Sequence, residues 1–139
     1  MFKDLLTAIR ETAAASLPTG VYAADRILYD ALDKDITPTN LRTVNITSQQ
    51  GLTARASMGG PSRFRTIGIL YVRLYEPTGK GDGVQLDHAT AIADYLRERV
   101  VTKGDVEIRF RAPSLVNAPR ENSMWVRIVQ VEFRADVLY

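Results

Sequence analysis

Phe2, Leu5, Leu6, Ile9 and Ala13 recur at helical spacing, with Lys3, Asp4, Arg10 and Glu11 on the remaining positions. That spacing gathers the apolar side chains into one stripe and predicts a helix from Phe2 to about Ser16, ended by Pro18 and Gly20. Its charge is mixed rather than basic, which fits a helix covering one face of a sheet better than a membrane-surface or partner-binding helix. Val21–Tyr29 reads as a short strand or irregular crossing, and the polar, proline-containing run Asp30–Asn40 as a loop. From Leu41 to Gln49 the residues alternate, with Val44 and Ile46 on one modestly apolar face. Gly51 is expected to break this strand before Leu52–Met58 resumes it. Gly59-Gly60-Pro61-Ser62 then signals a turn, and Arg63–Glu76 runs back as the second arm of a hairpin.

The second half of the chain has a sharper pattern. Leu86, Ala89, Ile92, Ala93, Leu96 and Val100 form a stripe at spacings of three and four, which predicts a helix from Asp82 or Gly83 to Val100. Asp82 is its candidate cap, and Thr102-Lys103-Gly104-Asp105 its end. Val106, Ile108, Phe110 and Ala112 alternate with Glu107, Arg109 and Arg111. From Val129 the apolar set Val129, Val131, Phe133, Ala135 and Val137 opposes Gln130, Glu132, Arg134 and Asp136. Period-two alternation of this kind belongs to antiparallel strands with one buried and one wet face. The segment Pro113–Ser123 is expected to be a long interaction loop. The fold predicted is α+β: a mainly antiparallel sheet with a long β-hairpin, flanked on one face by an N-terminal and a central helix, in one domain of 139 residues.

Composition narrows the function classes. The chain has no cysteine, which excludes disulfides, thiol nucleophiles and cysteine-ligated metals. Its 18 basic and 16 acidic side chains leave a net charge of only +2, so local distribution matters more than the total. Between Gln50 and Tyr75 there is no acidic residue, yet Arg55, Arg63, Arg65 and Arg73 all fall there. Such arginines either solvate a hairpin edge and protect it from aggregation, or arm it to reach an acidic neighbour or a phosphate backbone. The first residues are not a secretory signal, and no apolar stretch approaches the length of a membrane span. The expectation is a soluble chain made in the cytoplasm.

Candidate chemistry is sparse. His88 is the only histidine, and a single one supports neither a metal site nor a catalytic dyad. It reads as an ordinary half-exposed helix residue. Gly79-Lys80-Gly81-Asp82-Gly83 precedes a helix but lacks the hydroxyl after the lysine and the glycine five residues before it, so it is a turn and not a phosphate loop. Asp30, Asp33 and Asp35 lack the glycine and distal glutamate of a calcium hand. No cofactor, metal or catalytic residue is assigned, and an enzyme is not expected.

From Arg65 onward the order of features resembles the tail terminator-like (tail completion) proteins of long-tailed bacteriophages. The matching pieces are Arg65-Thr66-Ile67-Gly68-Ile69, Glu76-Pro77-Thr78-Gly79-Lys80-Gly81, Leu86 with Ala93-Asp94, Val106-Glu107-Ile108-Arg109-Phe110, and Trp125 in the last strand. They cover slightly more than half of the chain. Near Val21–Tyr29 the family carries a tryptophan–glutamate–asparagine pattern where this chain has Ala23-Ala24-Asp25-Arg26.

The resemblance implies a non-enzymatic virion protein at the head–tail junction. It would form a six-fold homo-oligomeric ring on the last layer of the tail tube, stop tube polymerisation and meet the head–tail connector protein. Phage DNA would pass through the lumen without sequence-specific binding. In that picture the hairpin residues Arg55, Arg63, Phe64 and Arg65, and Asn117 and Arg120 on the Pro113–Ser123 segment, contact neighbouring subunits or the tail tube protein. Two other readings stay open: another neck or tail-tube component of the same particle, and a DNA-binding module using the arginine-rich hairpin.

Overall fold

Among the described residues seven strands form one sheet, and two helices lie against the same face of it. The computed structural model describes residues 2–23, 26–29, 42–56, 63–77, 83–121 and 124–138, with backbone alone for 2–3, 50–56, 63–64, 120–121 and 137–138. In chain order the elements are α1 (Phe2–Ser16), β1 (Ile27–Tyr29), β2 (Thr43–Ala56), β3 (Arg63–Pro77), α2 (Gly83–Leu96), β4 (Val100–Lys103), β5 (Val106–Phe110), β6 (Ser114–Glu121) and β7 (Met124–Leu138). The sheet order is β1-β2-β3-β7-β5-β4, and β6 also pairs with β7. The architecture is α+β, as the alternation predicts. The pairing is antiparallel except for β1, which runs parallel to β2 over Val44–Ile46.

The core follows from the period of each element. On β3, Leu70, Val72 and Leu74 point to the helices; on β7, Val129, Val131, Phe133 and Ala135 do the same. Leu5, Ala8, Ile9 and Ala13 of α1 and Ala89, Ile92, Ala93 and Leu96 of α2 close over them. The alanines let the helices approach the sheet closely. On the other face, at the β6 end, Tyr75, Met124 and Val126 make a second small cluster with Leu28 and Ala118. Elsewhere that face has no helix over it among the described residues, and Ile67 there is half exposed.

Three expectations are corrected. Gly51 does not end β2, which runs to Ala56 with a register irregularity between Gln50 and Thr53 that absorbs the glycine. The central helix stops at Leu96: Glu98 takes the left-handed conformation (φ 54°) that closes a helix, and the β-branched run Val100-Val101-Thr102 forms β4. Gly104, at φ 57°, then turns β4 back onto β5. The buried face of α2 is therefore Gln85, Ala89, Ile92, Ala93 and Leu96, while Leu86 is 44% exposed and Val100 lies outside the helix. Ser114–Glu121, most of the expected Pro113–Ser123 loop, is strand, because β6 continues the line of β5 along β7 and pairs from Ser114↔Gln130 to Glu121↔Met124. Within Val21–Tyr29 the short strand is Ile27–Tyr29. The Asp30–Asn40 run and the Asp82 cap lie outside the described residues.

Candidate functional site

The hairpin is the longest feature of the sheet. Its arms pair from Thr43↔Tyr75 to Ala56↔Arg63, and β7 runs alongside β3 over the whole of that length, to Arg63↔Leu138. The basic hairpin is thus not a free two-stranded finger: β3 is its inner strand, and β2 its outer one. Arg55 stands opposite Phe64 on the neighbouring strand, and Arg63 opposite Ala56. The backbone register brings Arg55, Arg63, Phe64 and Arg65 to one end of the sheet. The side chains of the first three lie outside the described residues.

Arg65 does not project a bare charge. Its Nε donates to Asp136 Oδ1 at 2.8 Å and its Nη2 to Oδ2 at 3.5 Å, across the directly paired positions of β3 and β7. That hydrogen bond, and then the carboxylate's charge, raise the Arg65 pKa further. The acid-free run in the sequence is therefore partly neutralised by a residue 71 positions away.

Asn117 and Arg120 belong to another place. Asn117 on β6 pairs with Arg127, whose Nε donates to Asn117 Oδ1 at 3.0 Å. The side chain of Arg120 lies outside the described residues. Along β7 the partners Arg127 and Asp136 are nine residues apart, roughly 30 Å of strand. The residues singled out from the sequence thus form two regions at opposite ends of the sheet.

The structure adds a third polar region that sequence reading missed. Glu76 lies in phase with Leu70, Val72 and Leu74 and is completely buried. Its Oε1 accepts from Arg42 Nε at 2.9 Å and lies 3.2 Å from His88 Nδ1. His88, whose side chain is only 14% exposed, is a partner of this carboxylate and not the half-exposed residue expected. Its ring meets Tyr22 edge-on at 6.1 Å between centroids. Close by, Gln85 Nε2 donates to the carbonyls of Leu74 and Trp125 at 3.0 and 3.2 Å, tying α2 to β3 and β7. The signal in the sequence was an acid on the core-facing phase of a strand, which requires a buried partner. The arrangement locks α2, β3 and the start of β2 together. Among the described residues no group of three or more His, Cys, Asp or Glu side chains is placed to hold a metal ion.

Tyr22 makes this region sensitive to alkali. Burial first, then the Glu76 carboxylate, raise its phenol pKa well above the ordinary value near 10, against the opposing pull of Arg42. A phenol that holds its proton more tightly in the folded chain contributes stability fully present below about pH 10 and lost as pH rises toward the folded pKa. Tyr22→Phe is expected to remove that dependence. Urea midpoints from pH 9 to 11.5 should fall less steeply for the variant than for the parent; parallel slopes would show that Tyr22 does not titrate in this way.

No family model matches the sequence, and no curated protein matches it. Fifteen chains of known structure are similar. One of them superposes with a TM-score of 0.56 at 14% sequence identity, over 99% of this chain and 93% of its own. At that identity the likeness establishes a shared fold and carries nothing about activity or partners.

Proposed function

We propose that this protein acts as a structural ring at the end of a phage tail tube, where it ends tube polymerisation and joins the tube to the head connector. The observation that carries this reading is the sheet's unfinished outline. Past β1, which covers only Val44–Ile46, the outer edge of β2 has no partner strand among the described residues, and neither has the outer edge of β6. Open edges on opposite sides of one sheet fit heterologous contacts, the kind that close into rings. The motifs running from Arg65 to Trp125 point the same way. A DNA-binding role for the hairpin is less well supported, because Asp136 already engages Arg65.

The direct test is light scattering coupled to size exclusion, alone and with cognate tube protein, followed by negative-stain imaging. Rings, or tubes capped at a uniform length, are expected. A persistent monomer that neither caps tubes nor alters their length would overturn the reading. Arg63→Glu with Arg65→Glu is expected to abolish assembly while far-UV circular dichroism stays unchanged. Because Arg65→Glu faces Asp136, Asp136→Arg is added as a control: it restores the internal pair and should leave assembly lost. Normal assembly by the double variant would remove the hairpin from the interface.

A further inference from the structure

Edge strands exposed to solvent usually carry charges, prolines or bulges that keep other strands from adding to them. Two edges here carry only part of that protection: β2 has the irregularity between Gln50 and Thr53, and β6 has Pro119, Arg120, Glu121 and a second irregularity at its far end. From Ser114 to Ala118, β6 carries no charge, and Leu115 and Val116, whose side chains point to opposite faces of the sheet, are 40% and 39% exposed. From Thr43 to Ala54, β2 likewise carries no charge, and β1 covers only three of those positions. The two strands sit on opposite sides of the β3–β7 pair. Where β5 gives way to β6, a depression of about 340 Å³ opens beside the start of β6, lined by Ile69, Arg111, Ser114, Gln130 and Glu132 among others.

We infer that the outer edge of β6 of one copy pairs with the outer edge of β2, between Thr47 and Ala54, of a second copy, so that the sheet continues from subunit to subunit. This deepens the ring reading and rests on it. The occupant is another copy of this chain because the chain itself presents both uncharged edges, and joining them uses up one edge per subunit while exposing the same edge again on the next. Such a contact is heterologous and repeats until it closes. Main-chain hydrogen bonds hold the strands, and Leu115 and Val116 each meet a neighbour on their own face of the continued sheet.

The absence of native cysteines makes cross-linking a clean test. Val116→Cys is combined in turn with a single cysteine at each position from 47 to 54, giving eight double variants that are assembled and mildly oxidised. Intermolecular disulfides are expected at alternate positions, with the phase changing across the Gln50–Thr53 irregularity. Moving the first cysteine from Val116 to Leu115 should shift the reactive set by one residue. Val116→Lys should abolish the oligomer seen by light scattering while the monomer keeps its circular dichroism spectrum. Rings that form but yield no disulfide in any of the eight variants would overturn this pairing and leave the ring reading intact. A chain that stays monomeric with and without tube protein would overturn both.

Discussion

Arg42→Met is expected to lower folding stability by about 3 kcal/mol, because it leaves a buried carboxylate without its guanidinium partner. Glu76 is completely buried, and Arg42 supplies the shorter of its two contacts, 2.9 Å against 3.2 Å for His88. The other oxygen, Oε2, has no hydrogen-bond partner among the described residues, so the carboxylate has little in reserve. Removing one member of a buried pair costs more than removing both, since the penalty comes from the charge left behind. Glu76→Leu added to Arg42→Met should therefore recover much of the loss, as leucine continues the apolar phase of Leu70, Val72 and Leu74. Urea unfolding with an unchanged m-value is the measurement. A loss below about 1 kcal/mol for the single variant, in the range of an exposed ion pair, would mean that the guanidinium does not hold Glu76 in the folded chain.

Gly68→Ala should cost a similar amount, about 2–3 kcal/mol, for a steric reason. A Cβ at this position would stand 2.5 Å from Phe133 Cζ and 2.6 Å from the carbonyl oxygen of Gln49. Gly68 and Phe133 are directly paired across β3 and β7, and the ring lies over the glycine. Phe133 is 1% exposed and tilts against Phe110 at 6.1 Å between centroids, so it has little room to move. Its other obstacle is main chain on β2, next to the register irregularity at Gln50–Thr53. Combining Gly68→Ala with Phe133→Leu should show coupling, with the pair less destabilised than the two single losses added together. Simple additivity would place the strain at Gln49 alone. A fully tolerated alanine would mean that β2 is free to shift there.

The elements with a strong internal period were legible from the sequence. The N-terminal helix falls at Phe2–Ser16 as predicted. Of the positions the alternation named, Val106, Ile108, Phe110, Val129, Val131, Phe133 and Ala135 are buried, Ala112 is exposed beyond β5, and the side chain of Val137 lies outside the described residues; Met124, Val126 and Arg127 are buried as well. β6 was not legible. Ser-Leu-Val-Asn-Ala-Pro-Arg-Glu contains a proline and no clear apolar face, so it is a strand only because β7 offers a ladder beside it. The end of α2 was misplaced for a related reason. Val100 continues the helical stripe by spacing alone, but its β-branched neighbours gain more by pairing with β5. Of the candidate contact residues, the hairpin group was adjacent in sequence and remains adjacent in register. Asn117 proved to be the hydrogen-bond partner of Arg127, a role that no local pattern encodes.

Side-chain periodicity is a property of neighbouring residues, so it passes directly from sequence to helix stripe and strand face; the α+β architecture and most of the core were settled at that level. Partnerships between distant residues are not local. Tyr22, Arg42, Glu76 and His88 meet only because two helices fold onto one face of the sheet, and Asp136 reaches Arg65 only because β7 runs the length of β3. Which edges have no neighbour among the described residues was decided there too, since that depends on the strand order and not on any local pattern.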